Sequence, residues 1–306
     1  MAGLKELRTR IETIKSTQKI TSAMKMVAAS RLRKSQGLIA KSLFYNNNLL
    51  ASANRVLFEL KSQERDTGVS FIYPPMMRGH AEQKNYLLLV FASDRGLCGS
   101  YNSQVAKAAA HRIEELTAEG KNVKIVCVGK KGADILKRKY APMIIRTIDA
   151  VAKKGAKYYE ATDIAYPIID AFNRGEIDVC EVVVSHFRSA INREVKVGQI
   201  LPVLIEDFEY NRMHAPINVV RGAYYDYEPG RMEILDGILP LIFKSSVFQA
   251  IVHSQASEHG ARMTSMDNAT RNAKDMISGL TLRYNRIRQT AITTELIEII
   301  AGAEAL

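Results

Sequence analysis

The spacing of apolar and polar positions changes twice along the chain. From Leu4, alternate steps of three and four reach Leu7, Ile11, Ile14, Gln18, Thr21, Lys25, Ala28, Leu32, Ser35 and Ile39. This is a 3.5-residue seam, thinned by polar and small members. A similar walk back from Ala301 gives Ile297, Thr294, Thr290, Ile287, Arg283, Leu280, Met276, Ala273, Ala269 and Met266. No proline precedes Pro74 and none follows Pro240, so the outer segments can be long helices. Neither seam makes a strong zipper alone, but small seam residues let two helices approach closely. The simplest arrangement is an antiparallel pairing of the N- and C-terminal helices. A helix from Leu4 to about Leu60 spans roughly 85 Å and one from about Arg231 to Leu306 roughly 110 Å. If both leave the middle of the chain at one level, the second overhangs by roughly 25 Å, beginning near Arg288.

The middle third has a shorter rhythm. "NYLLLVFAS" reads as a buried strand, followed by the turn "DRGLCGS" and a helical "QVAKAAAHRIEEL"; "VKIVCVG", "KKG" and "ADILKRK" repeat the order. Strand, turn and helix in succession predict a partly parallel sheet with right-handed crossovers. "DVCEVVVSHF" and "EVKVGQILPVL" read as an antiparallel pair closing it. The expected fold class is α/β: a long antiparallel coiled coil of the terminal helices with a central Rossmann-like domain. Its expected segments are an N-terminal helix over 1–62, a mobile surface loop over 63–84, the α/β domain over 85–215, a linker or foot loop over 216–230 and a C-terminal helix over 231–306.

Composition narrows the function classes. The chain has 306 residues, 47% hydrophobic and 25% charged, which is ordinary for a globular protein. Uninterrupted apolar runs such as Tyr86 to Ala92 are far shorter than the roughly 20 residues a membrane span needs. The opening "MAGLKELRTRIETIK" is basic and amphipathic, but Glu6 and Glu12 argue against a transit peptide, and it reads as mature protein. Cys98, Cys127 and Cys180 fit neither a disulfide framework nor a zinc site. A surplus of 43 Lys+Arg over 32 Asp+Glu, net +11, points to an acidic partner of some kind.

Candidate chemistry is sparse. "SDRGLCGS" between a strand and a helix is where a Gly-rich loop can hold phosphate, yet GxGxxG is missing and no GK[ST] follows, so it reads as a turn or protein-contact loop. His253 and His259, six apart on a helix, do not share a face for a metal. No nucleophile with its base is apparent, and no cofactor is expected. Lys15, Lys19, Lys25, Arg31, Arg33 and Lys34 lack the interleaved aromatics of single-strand nucleic-acid binders; a solvated face and an acidic protein partner both remain open for them. After Arg288 the chain has no Lys or Arg, and its apolar and small residues continue to the last position, where a surface helix would close with Gly or Asn and basic residues.

Three separated blocks carry a family resemblance. "ITTELIEIIAGAEA", from Ile292 to Ala305, resembles the C-terminal signature of the gamma subunits of F-type ATP synthases, with Ile292, Thr293, Glu295, Glu298, Gly302 and Ala303 at matching positions. "LKELRTRIETIKSTQKITSAMKMVAASRLRK" is similar to that family's first helix, and "SDRGLCGSYNSQ" to its central loop.

The resemblance implies a non-catalytic rotor shaft inside a ring of three alpha and three beta subunits. Its foot would stand on the membrane c ring beside epsilon (mitochondrial delta), coupling proton flow to ATP synthesis and hydrolysis. By position, Lys19, Lys25 and Arg95 would lie near an acidic segment of beta, and Arg288 and Gln289 would meet a beta loop higher up. Ile292, Leu296, Ile299 and Ile300 would form an apolar bearing tip, and Tyr225, Tyr227 and Glu228 the foot. The implied location is peripheral, on the cytoplasmic face of a bacterial inner membrane or the matrix face of the mitochondrial one, with no nucleic-acid partner. Two other classes stay open on residues alone: a small nucleotide-binding α/β enzyme with helical arms, and a basic coiled-coil nucleic-acid binder.

Overall fold

The computed structural model describes residues 2–153, 155–190, 192–205 and 225–304. The end of the expected 85–215 domain, most of the expected 216–230 linker, and Ala305 and Leu306 lie outside the described residues. The chain divides into two compact units, Arg31–Ala261 and the paired chain ends Met1–Ser30 with Arg262–Leu306.

The larger unit is built on a five-stranded sheet of order β3-β2-β1-β4-β5. Its strands are β1 (Asn85–Phe91), β2 (Asn122–Val128), β3 (Ile144–Ile148), β4 (Val179–Phe187) and β5 (Arg193–Leu201). β1 runs parallel to β2 and β4, β2 parallel to β3, and only β5 is antiparallel, against β4. From Leu87 to Phe91 the central "NYLLLVF" is apolar and buried because both its faces are covered. Leu87, Leu89 and Phe91 enter one core with α1 (Ala2–Thr67), α5 (Tyr158–Asn173) and α6 (Arg231–Glu304). Leu88 and Val90 enter the other, with α3 (Tyr101–Ala118) and α4 (Lys130–Tyr140). The period of two therefore sorts one strand between two helical layers. α6 runs through Pro240, ten residues in, where the missing N–H leaves the Asp236 carbonyl without its i→i−4 partner.

Two expected segment boundaries differ in the structure. α1 continues to Thr67, past the expected end at 62. The 63–84 segment is not a loose loop. It holds a short helix, α2 (Pro75–Arg78), and is tied down repeatedly. Glu64 accepts from the Phe71 N–H (2.7 Å) and the Tyr73 hydroxyl (2.9 Å). The carbonyl of buried Met76 accepts from Val203 N–H at 2.7 Å. His80 stacks on Phe172 and lies 3.0 Å from Asp178. Most of these partners are distant in sequence, so local polarity misrepresents the segment. Likewise, α6 contains an 18-residue window of mean hydropathy 1.5, enough by length and composition for a membrane span. A window average tolerates interruptions that an uninterrupted count does not. Half of that window is buried, and α6 places Leu235, Leu239, Phe243 and Val247 in the core of this unit.

In the smaller unit the first part of α1 lies antiparallel to the last part of α6. Ile11, Thr21 and Ala28 are buried at the expected seam positions of α1. On α6 the seam departs from expectation: Ala273 is buried, but Met276 is 50% exposed and Ile277 lies inward in its place. Steps of three and four can be ordered either way from Ala273, and packing chose the four. Two polar contacts pin the register, Thr21 Oγ1 to Thr270 Oγ1 at 2.8 Å and Lys25 Nζ to Asp267 Oδ1 at 2.6 Å.

Candidate functional site

The turn after β1 is held by several polar contacts. Ser93 is buried; its N–H donates to Asn102 Oδ1 at 3.0 Å and its hydroxyl donates to the Arg95 carbonyl at 2.7 Å. Cys98 is also buried, with Asn102 Nδ2 at 3.3 Å from its sulfur. Asp94 reaches across to two other elements: Oδ1 accepts from the Lys130 N–H at 3.0 Å and Oδ2 from the Ala150 N–H at 2.8 Å. On this base Arg95, Gly96 and Leu97 stand exposed, Leu97 at φ 63° and 63% accessible.

This geometry bears on phosphate binding. Besides the α3 start after "SDRGLCGS", the α4 N-terminus is a second helix end at which an anion could sit in an α/β unit. Here its first N–H is capped by the Asp94 carboxylate, and the next, of Lys131, donates to the Ser93 carbonyl at 2.9 Å. Gly129, at φ 104°, lets α4 start so close to β1 that a Cβ would lie 2.4 Å from the Ala92 carbonyl oxygen. The glycines of "GKKG" therefore serve packing, and the adjoining cavity of about 310 Å³ mixes Arg31, Lys130 and Lys153 with Asp149 and Glu258. Lys130 is itself paired with Asp149 at 2.8 Å. A bound phosphate would compete with a resident carboxylate.

At the other end of this unit, Tyr227 turns inward. Its hydroxyl donates to Glu59 Oε1 at 3.0 Å, and Arg231 Nε donates to Glu59 Oε2 at 3.0 Å. Burial, reinforced by Glu59, pushes the Tyr227 phenol up to about 12. Tyr225 lies beneath the Arg55 guanidinium, 4.1 Å from ring centroid to charge, and is exposed, as is Glu228. Arg31, at the cavity, and Glu59 are roughly 40 Å apart along α1, so Arg95 and the Tyr225–Glu228 segment are not brought together.

In the smaller unit Lys19 is exposed, whereas Lys25 is bound to Asp267, a carboxylate also held by Arg271. These two cations, Lys25 first, keep the Asp267 carboxyl below its usual range. Arg288 and Gln289 are exposed, as is every residue from 286 to 301. Ile292, Leu296, Ile299 and Ile300 follow helical spacing along one face at 49%, 54%, 63% and 58% exposure. Ile297, at 60%, belongs with them. Sequence reading placed Ile297 on the helix seam, where it is exposed instead, and missed Asp94, Glu59 and Asp267. The charge of Asp94 beside Arg95 was visible, but its partners were not.

A family model described as ATP synthase matches residues 3–306. The ATP synthase gamma chain of Azorhizobium caulinodans is 43% identical over 306 residues, covering all of both chains. Among solved structures, the central stalk and c-ring of the Tetrahymena thermophila mitochondrial ATP synthase includes a chain 25% identical, with TM-score 0.56, over 82% of this chain and 99% of that one. The Euglena gracilis mitochondrial ATP synthase, OSCP/F1/c-ring in rotational state 3, includes one 17% identical, with TM-score 0.63, over 99% and 94%.

Proposed function

The chain belongs to the ATP synthase gamma-chain family, and from that membership we propose that it is the central rotor shaft, coupling proton flow through a membrane c ring to ATP synthesis and hydrolysis on surrounding beta subunits. It is a subunit of that machine and not itself the catalyst. The observation that carries the shaft reading is the exposed apolar end of α6. Residues 286–301 are all exposed, Ile292, Leu296, Ile297, Ile299 and Ile300 lie on the surface, and no Lys or Arg follows Arg288. An exposed apolar stretch of this kind marks a surface that a partner covers. A sleeve formed by the alpha and beta subunits would cover it without the fixed charge pairs that resist turning.

The mechanism follows from asymmetry. A two-helix shaft presents chemically different sides to three otherwise equivalent beta subunits, so their nucleotide sites must differ at any instant. Moving a site from a 1:99 to a 99:1 population takes about 5.5 kcal/mol of differential interaction. Exposed ion pairs contribute about 0 to 1 kcal/mol each. Steric contact along the helices therefore carries most of the work, and charges such as Lys19, Arg95, Arg288 and, near the beta loop, the polar Gln289 tune it. Lys25 meets the acidic segment of beta only in competition with Asp267.

Tyr225 and Glu228 form the outward face of the foot toward the c ring and epsilon. Tyr227 supports that face from within through Glu59 and Arg231. The 43% identical gamma chain, aligned over the full length of both chains, is from a bacterium, which favours a peripheral place on the cytoplasmic face of the inner membrane.

The test is co-purification of the tagged chain from its membranes with and without residues 289–306. Recovery with alpha, beta and epsilon, and slowed ATPase turnover in the truncation, is expected; recovery of the chain alone or with nucleic acid would overturn the reading.

A further inference from the structure

We propose that Asp94 is a positioning residue for Arg95, holding the exposed 95–97 tip at a fixed place from which the guanidinium engages an acidic partner segment. The inference rests on the reading of Arg95 given above and adds the residue that makes that contact effective.

An aspartate beside an arginine is a poor design for a surface that must attract acidic groups, unless the aspartate faces elsewhere and its charge is compensated. Asp94 meets both conditions. Its two oxygens are used on main-chain N–H groups of Lys130 and Ala150. The first of these opens α4, where the helix dipole favours a negative charge. The second belongs to a residue at φ 62°, a left-handed conformation that costs energy in a residue with a Cβ and persists only when neighbours enforce it. One carboxylate thus joins the end of β1, the start of α4 and the turn after β3.

The residue on the other side of Asp94 is equally committed. Ser93 is bound to Asn102 of α3 through its N–H, and its hydroxyl fixes the carbonyl of Arg95. Both residues before Arg95 are therefore tied to separate helices. A tip held this way loses little conformational freedom when it meets a partner. Small misplacement would be costly, because the contact must form and break at a defined angle of rotation.

The experiment uses the assembled complex in inverted membrane vesicles, reading ATP hydrolysis and ATP-driven acidification together. Asp94→Ala should lower acidification per ATP hydrolysed by roughly fivefold, the scale of one or two lost hydrogen bonds. Asp94→Asn, which keeps one acceptor oxygen and the side-chain volume, should lower it less and carries the test if the alanine variant fails to assemble. Adding Arg95→Ala to either variant should cause no loss beyond that of Arg95→Ala alone. A purely structural role would reduce the amount of complex, and hydrolysis and acidification with it, leaving their ratio unchanged. A wild-type ratio in both Asp94 variants while Arg95→Ala is impaired would overturn the role of Asp94, as would losses that multiply in the double variant. A wild-type ratio in Arg95→Ala alone would instead overturn the reading of Arg95, and the positioning role with it.

Discussion

His186 of β4 and His253 of α6 stack ring on ring, 4.1 Å between centroids and 22° apart. His253 Nδ1 accepts the Phe187 N–H at 3.3 Å, so a proton on that nitrogen would face a donor. Burial, then the neighbouring His186, pushes His253 down to about 4. His186 is also lowered, by burial and by Lys196 and Arg188, with Glu194 opposing.

With the folded value of His253 near 4 and the unfolded value near 6.5, both states are neutral at pH 7.5 and the group contributes nothing. As pH falls below about 6.5 the unfolded chain takes the proton first and stability drops, by roughly 2 kcal/mol at pH 5 and no further once pH is below about 4. Urea unfolding of the wild type and His253→Gln at pH 7.5 and 5 checks this; an identical pH response in the two would contradict it.

Arg112 grips both oxygens of Glu181 at 2.8 and 2.7 Å, and Glu181 is 7% exposed. Arg112→Leu strands a buried carboxylate and should cost about 3 to 5 kcal/mol. Combining it with Glu181→Gln should recover part of the loss, seen as a partial return of the urea midpoint.

Gly129→Ala should be severely destabilising. The position has φ 104° and a Cβ there would lie 2.4 Å from the Ala92 carbonyl oxygen, so the start of α4 must move away from β1. A cost of at least about 2 kcal/mol is expected, whereas Gly37→Ala, with open space around its Cβ on a helix, should be neutral or slightly stabilising.

Leu296→Lys separates folding from function. The side chain is 54% exposed, so the isolated chain should keep its thermal midpoint, with a change within about 0.5 kcal/mol. The assembled complex should hydrolyse ATP more slowly, because a charge would then enter the apolar sleeve proposed around the tip. Unchanged turnover in correctly assembled complex would argue that the end of α6 is not enclosed.

Much of the architecture was legible because it is written in local periodicity. The apolar run of β1, the repeated strand-turn-helix units and the buried positions Ile11, Thr21, Ala28, Leu32 and Ser35 all follow from which side chains must leave water. The exposed isoleucines of α6 were legible for the converse reason: they continue past the last basic residue, in the stretch expected to overhang the first helix.

The rest depended on pairs far apart in the chain. Lys25 meets Asp267, His80 meets Asp178, Asp94 meets Lys130 and Ala150, and His186 meets His253. None of these has a local pattern, because a carboxylate or imidazole looks the same in sequence whether it faces water or caps a distant helix. For the same reason the 63–84 segment looked loose until Glu64, Met76 and His80 had their partners. The sequence alone determined the two terminal helices, α3, α4, the central strands and the family, since these rest on periodic burial and contiguous motifs. Tertiary structure decided which charges are already spent inside the fold and which are left to meet a partner, since that depends on distances the linear chain does not contain.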